Sequence, residues 1–279
     1  MVSAQVNHFS LALMLSSALD LVDPDVYNHH FTVAYIALSI AEEAGYTHEK
    51  KQSILLAALY HDIGATSLRD KKGLLAFDTV NAESHAILGY NFVKKYPVFS
   101  KIASLIRYHH HAWNCGNGAF DGAIQVPREA HLLHLADRIA VLCQSKKTFN
   151  EQQENIRASL RSATPSLFSP ELVHIWESMA SKKVFWAPLV SKSVHNVLQR
   201  AITTYAMSLT SEQLVEIIKV YAHIIDFRSP YTYAHSTAAA ALSLFLGKKM
   251  GLSENDLQQL YYAALLHDIG AFTIPVEIQ

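Results

Sequence analysis

The chain has little cysteine, little charge imbalance and no long uninterrupted apolar run. Only two cysteines, Cys115 and Cys143, occur in 279 residues. That is too few for a disulfide framework, and a reducing compartment, the cytoplasm, is expected. Basic and acidic residues nearly cancel, 23 against 24, which excludes the broad positive footprint of a duplex nucleic-acid binder or of a protein drawn to anionic membranes. The apolar stretch from Phe9 to Val22 is short, is broken by Ser16, Ser17 and Asp20, and is not led by basic residues. It is read as a core helix, not as a signal peptide or membrane span. Alternating strand-like runs are scarce, while apolar residues recur at helical spacing almost throughout, so the fold is expected to be all α. With 50% of residues hydrophobic, a well-buried core is available.

What the chain has in excess is histidine, 16 residues. Seven groups are spaced as ligands of a two-metal hydrolytic centre: His30, the pair His61 and Asp62, His85, the pair His109 and His110, and Asp137. Imidazoles and carboxylates together favour a redox-capable or borderline divalent metal over calcium or magnesium, which prefer oxygen alone. Stop signals place the helices. One runs from about His30 to Ala44 and ends at Gly45. The next starts after Thr47, an N-cap, and ends near Gly64. A third starts near Asn81 and stops before Pro97, a fourth covers Ser100 to His109, and a fifth runs from Pro127 to about Cys143. Each ligand or ligand pair therefore sits on or at the end of a different helix, as in bundles that hold metals in their interiors. Adjacent residues on a helix point about 100° apart, so His61 and Asp62 reach one site only if the helix end aims into it.

An internal repeat organises the rest. Ala57-Ala58-Leu59-Tyr60-His61-Asp62-Ile63-Gly64-Ala65 returns as Ala263-Ala264-Leu265-Leu266-His267-Asp268-Ile269-Gly270-Ala271. Counting from His30 and His235, the first histidine precedes the His-Asp pair by 31 residues in one copy and 32 in the other. The second copy reaches Gln279 with no counterpart of His85, His109, His110 or Asp137. The expected division is a metal-binding domain over 1–145, a helical connector over 146–214 and a partial repeat over 215–279. Three ligands cannot complete two metals, so the second copy is expected to be structural or truncated.

A histidine on one helix, an adjacent His-Asp at the end of the next, and a later aspartate after alanine, Leu135-Ala136-Asp137, resemble the HD phosphohydrolase superfamily. Ser84-His85-Ala86-Ile87-Leu88-Gly89 and the doublet His109-His110 followed by Trp113 resemble its HD-GYP branch. In the second copy, Asp226, Tyr231-Thr232, His235-Ser236 and Ile274-Pro275 are similar too. The resemblance implies an all-helical bacterial signalling protein that hydrolyses cyclic dinucleotides such as cyclic di-GMP, with two or three metals, iron or manganese by preference and zinc accepted. It assigns His30, His61, Asp62 and Asp137 to one metal and Asp62, His85, His109 and His110 to the other, with Asp62 as the bridge. Two metals so placed share a hydroxide and clamp both oxygens of an in-line displacement at phosphorus.

The chain also departs from that pattern. The lysine expected after His-Asp-Ile-Gly is Ala65 in one copy and Ala271 in the other. Of the signature stretch His111-Ala112-Trp113-Asn114-Cys115-Gly116-Asn117-Gly118, only the tryptophan matches. The acid that serves a third metal would stand four before His30, where the chain has Val26. Arg138, Arg69, Lys71 and Lys72 are candidates for phosphate contacts in the lysine's place, and a solvated charge cluster is the preferred reading for the last three. His29, His111, His131 and His134 are read as neighbours of ligands or as surface residues. Three functions stay open: a cyclic dinucleotide phosphodiesterase, an adaptor that keeps the fold without turnover, and a hydrolase of nucleotides or other phosphate esters. A homodimer is compatible with each.

Overall fold

The structure, a computed structural model, describes residues 6–21, 28–66, 83–143, 149–228 and 234–274. Arg69, Lys71, Lys72, Val26, Tyr231, Thr232 and Pro275 lie outside the described residues, as does the expected helix start at Asn81.

Helices dominate, as the apolar spacing predicts. The opening apolar stretch forms α1 (His8–Asp20), begun by the Asn7 side chain, which accepts from the Phe9 amide. Helix α2 (His29–Glu43) stops at Gly45, whose φ of +69° suits a residue without a side chain. Thr47 caps α3 (His48–Tyr60) by accepting from the Lys50 amide. This helix ends four residues earlier than expected, and His61 to Gly64 form a turn. Then follow α4 (Glu83–Val93), a 3-10 turn at Pro97–Phe99, α5 (Ala103–Tyr108) and α6 (Arg128–Cys143). The helix expected over Ser100 to His109 is therefore shorter, because Pro97 first imposes a tighter turn. Between α5 and α6 lie a 3-10 segment, Asn114–Ala119, and a two-residue hairpin pairing β1 (Phe120–Asp121) with β2 (Ile124–Gln125).

Helices α7 (Phe149–Ala163), α8 (Pro170–Ala180), α9 (Lys183–Val190) and α10 (Val194–Thr204) fill the segment expected as a connector. They share one hydrophobic core with the first unit. Leu160, Trp176, Leu198 and Ile202 belong to the same buried cluster as Val33, Ile36 and Ile40 of α2, Leu55 and Leu59 of α3, and Leu132, Leu135 and Ile139 of α6. The Tyr35 hydroxyl donates to the Phe185 carbonyl at 2.7 Å across that boundary. The 3-10 segment is pinned to the same layer by its backbone: the amides of Trp113, Asn114 and Cys115 donate to the carbonyls of Leu167, Ser166 and Pro165.

The second repeat starts on α11 (Ser211–Phe227), where Thr210 and Gln213 form a reciprocal capping box. This helix also packs on the first repeat: Tyr221 and Tyr60 share a buried hydroxyl–hydroxyl hydrogen bond of 2.7 Å, and Glu216 accepts from the Val98 amide at 2.9 Å. Helices α12 (His235–Lys249) and α13 (Glu254–Leu266) complete the repeat around a small cluster of Ile218, Ala222, Ala240 and Leu265. Among the described residues no helix is long and apolar enough to cross a membrane.

Candidate metal centre

The turn after α3 is what aims His61 and Asp62 inward. Helical bonding gives way to Ile63 amide to Tyr60 carbonyl at 3.1 Å and Ala65 amide to Asp62 carbonyl at 2.9 Å. Gly64 then lies directly on α4. A Cβ there would sit 2.0 Å from the His85 carbonyl oxygen and 2.5 Å from the Gly89 nitrogen, so only glycine allows this approach, which brings His85 beside Asp62. His109 closes the C-terminal end of α5, His110 follows it, and Asp137 comes from the middle of α6. Opposite them, α2 opens with Asn28 in the left-handed region, φ 63°, followed by His29 and His30.

The two oxygens of Asp62 face two different sets of imidazoles. Oδ1 lies 3.1 Å from His85 Nε2 and 3.5 Å from His109 Nε2. Oδ2 lies 3.2 Å from His61 Nε2 and 3.8 Å from His29 Nε2. Asp137 Oδ1 is 3.1 Å from His29 Nε2 and 3.9 Å from His61 Nε2, while its Oδ2 is 3.8 Å from His110 Nε2. Ligand atoms of Asp62, His85, His109 and His110 fall within 4.8 Å of one another, as do those of His29, His61 and Asp137 and those of His30, His61 and Asp62. Every one of these side chains is buried.

The imidazoles are oriented as ligands. His61 Nδ1 lies 2.8 Å from the Ala58 carbonyl, and His109 Nδ1 lies 2.7 Å from the Ile106 carbonyl. A carbonyl only accepts, so each Nδ1 donates its proton there and each Nε2 faces the site, as a lone pair in His109 and, in His61, as the nitrogen that would give up its proton to a cation. His85 Nε2 and His109 Nε2 stand 3.0 Å apart. Burial lowers the pKa of His109 to about 4, against the pull of Asp62, and holds His110 well below its usual value. The buried Nε2 atoms of His30, His61 and His110 and the oxygens Asp62 Oδ1 and Asp137 Oδ1 have no hydrogen-bond partner. Burying so many unsatisfied polar atoms together, carboxylate oxygens among them, is costly without a positive charge to meet them.

The protein carries some of that charge itself. Burial alone would lower the His61 pKa, but the charges of Asp62 and Asp137 outweigh it and raise it to about 9. Burial would likewise raise both carboxyls. His61 and the surrounding imidazoles hold Asp62 well below the ordinary carboxylate range, and Arg138 and His29 do the same for Asp137. A buried centre with two ionised carboxylates and mostly neutral imidazoles fits divalent cations by donor type and by charge.

All seven ligand candidates are thus in one place, with one change of register. His29, read as a neighbour of ligands, is the residue whose Nε2 meets Asp62 and Asp137, while His30 Nδ1 is bound to Asp20. The repeat carried the signal: from His29 the distance to His61 is 32 residues, the same as from His235 to His267. Counting from His29 also moves the position four residues earlier from Val26 to Asp25, which lies outside the described residues. Arg138, expected to meet a phosphate, is 1% exposed and instead donates from Nε and Nη2 to Asp137 Oδ2 at 3.2 and 2.7 Å. Its guanidinium holds a ligand and is turned away from solvent. His134 lies beside the site, its ring 5.5 Å from His110. His111 and His131 lean on each other farther out, the latter against Trp113. In the second repeat His235, His267 and Asp268 also converge, but all three side chains are 40–48% exposed.

Fold and site together define a helical bundle with a histidine- and aspartate-lined metal centre. The chain matches the HD domain family over residues 26–142 and 232–279, and it belongs to that family. It is 28% identical over 274 residues to the 3'3'-cGAMP-specific phosphodiesterase 1 of Vibrio cholerae, covering 95% of this chain and 63% of that protein. It is 24% identical over 175 residues to a cyclic di-GMP phosphodiesterase of Thermotoga maritima, covering 59% of this chain and 47% of that protein. The crystal structure of a cyclic GMP-AMP specific phosphodiesterase from V. cholerae shares the fold, with a TM-score of 0.67 at 21% identity over 95% of this chain and 70% of that one. The chain thus spans about half to two thirds of the length of these two curated relatives.

Proposed function

We propose that this chain is a metal-dependent phosphodiesterase of the HD-GYP branch that cleaves a cyclic dinucleotide at a centre for two divalent cations. The observation that carries this reading is the division of Asp62, with Oδ1 toward His85 and His109 and Oδ2 toward His61 and His29. A carboxylate so placed bridges two positions. His29, His61, Asp62 and Asp137 would hold one cation, and Asp62, His85, His109 and His110 the other. When bound, two such cations lower the pKa of water and stabilise charge at both the attacking and leaving oxygens of an in-line displacement at phosphorus. The chain's own residues keep the donors aligned: the Ala58 and Ile106 carbonyls orient His61 and His109, and Arg138 orients Asp137. Imidazole-rich donors suit iron or manganese and accept zinc.

The names of the relatives favour 3'3'-cGAMP over the cyclic di-GMP expected from the resemblance, since the relative sharing 95% of this chain carries that substrate in its name. The test is an assay of protein purified without air against 3'3'-cGAMP, cyclic di-GMP, a generic diester and a monoester, with Asp62→Ala as the control. Cleavage of cyclic dinucleotides that disappears in the variant supports the proposal. Bound metal without turnover overturns it in favour of an adaptor, and preference for the monoester in favour of a nucleotide hydrolase.

A further inference from the structure

The two repeats open their first ligand helix alike and then part company at one residue. In each, a left-handed residue, Asn28 at φ 63° or Ala234 at φ 60°, precedes the cluster histidine, His29 or His235. In each, an aspartate ten positions back reaches the residue after that histidine. In the second repeat this residue is Ser236, and Asp226 takes both its amide, at 3.1 and 3.2 Å, and its hydroxyl, at 2.7 Å. The serine is used up by that contact. In the first repeat the same place holds His30. Asp20 Oδ2 accepts its amide at 3.2 Å, and Asp20 Oδ1 is hydrogen-bonded to its Nδ1.

An imidazole has a second nitrogen where a serine has nothing. With Nδ1–H donated to the Asp20 carboxylate, the Nε2 lone pair of His30 points the other way, toward the centre. That atom is buried without a hydrogen-bond partner, and a ring nitrogen of His30 lies within 4.8 Å of ligand atoms of His61 and Asp62. Asp20 and His30 are each 3% exposed, so water does not mediate their contact from bulk solvent. We propose that Asp20 is a positioning residue that turns His30 into an additional protein ligand of the cation held by His29, His61 and Asp137. This rests on the two-cation reading above and adds to it a donor that the second repeat, with serine in that place, lacks. A carboxylate behind a ligating imidazole fixes its tautomer and ring orientation and raises its basicity, an arrangement whose loss costs metal affinity.

The experiment titrates Mn²⁺ into the metal-free full chain by calorimetry and records the visible spectrum of the Co²⁺-loaded form. The variants are His30→Ser, which imports the second repeat's residue, His30→Asn, which keeps a donor for Asp20 but has no second nitrogen, Asp20→Ala and Asp20→Asn. In His30→Ser, His30→Asn and Asp20→Ala, the affinity of one of the two sites should fall about 10- to 100-fold. The other site should keep its affinity, and the Co²⁺ bands should shift with the lost ligand. Asp20→Asn, whose amide oxygen still accepts from Nδ1–H, should recover part of the loss. Unchanged affinities and an unchanged Co²⁺ spectrum in both His30 variants overturn the assignment, as does a loss of thermal stability in the metal-free state alone. A wild-type chain that binds two cations without turnover sinks the phosphodiesterase reading and leaves this one standing; one that binds none sinks both.

Discussion

Replacing Gly64 with alanine tests whether packing at the turn assembles the centre. The added methyl would lie 2.0 Å from the His85 carbonyl oxygen and 2.5 Å from the Gly89 nitrogen, both backbone atoms that no side-chain rotation can clear. Ordinary contact needs roughly 3.4 Å or more, so α4 must move away from the His61–Gly64 turn by more than an ångström. Overpacking of this kind costs about 3 kcal/mol at its upper range, a fall of roughly 6–12 °C in Tm for a chain of this size. The same movement carries His85 off Asp62, so one of two cations should be lost before the fold is. The assay pairs thermal denaturation with metal counting by calorimetry on Gly64→Ala and, as control, Gly89→Ala. In the control the new methyl meets Ile106 Cγ2 at 3.1 Å, Ile63 Cγ1 at 3.3 Å and the Gly64 nitrogen at 3.4 Å, contacts that ask for a shift of only tenths of an ångström. It should be the milder change. A Gly64→Ala protein with wild-type Tm and two bound cations would refute the reasoning.

Further expectations follow from individual side chains. His61 has its pKa raised to about 9, so its stabilising charge pairing is fully present below the unfolded value of about 6.5 and is lost as pH rises through about 9. A cation needs the neutral ring, so affinity at its site should climb up to about tenfold per unit between pH ~7 and ~9 and then level off. Calorimetric titrations showing no pH dependence in that range would contradict this. Arg138→Met removes the partner of a buried carboxylate and should cost about 3–5 kcal/mol in urea denaturation of the metal-free protein; added Mn²⁺ should recover much of it, because a cation also neutralises Asp137. Tyr221→Phe strands the buried Tyr60 hydroxyl and should cost about 1–3 kcal/mol. The double variant with Tyr60→Phe should cost less than the sum of the two, and strict additivity counts against the shared hydrogen bond. Burial lowers the His8 pKa to about 4, and neither ring nitrogen has a partner. Its contribution is present above about pH 6.5 and is lost as pH falls toward 4, at up to about 1.4 kcal/mol per unit. His8→Leu should flatten that part of the stability profile, and an unaltered slope would show that the acid sensitivity arises elsewhere.

Much of the centre was legible because its groups are marked by adjacency and order. His61-Asp62 and His109-His110 stand out as doublets, His85 and Asp137 each fall on a separate helix, and stop signals such as Gly45 and the Thr47 cap locate the helices that carry them. Asp20 carries no such mark, because in the sequence it is only an interruption of an apolar run. Its partner in the second repeat, Asp226, also stands ten residues before the residue it holds. Arg138 was read for its charge and not its depth; a cation next to an aspartate looks the same in a sequence whether it faces a ligand or braces a carboxylate.

The choice between His29 and His30 shows where the boundary lies. From the amino-acid order alone came the helical class, the duplicated unit and the inventory of imidazoles and acids, because periodicity and composition are properties of the chain itself. Tertiary structure decided that His29 meets Asp62 and Asp137 while His30 is held by Asp20, how Asp62 divides its oxygens and that helices α7 to α10 share the first unit's core. Neighbouring helical side chains diverge by about 100°. What each of them meets therefore depends on how the helix is rotated against its partners. That rotation is set by contacts far apart in sequence, such as Asp20 on His30 and Gly64 against α4.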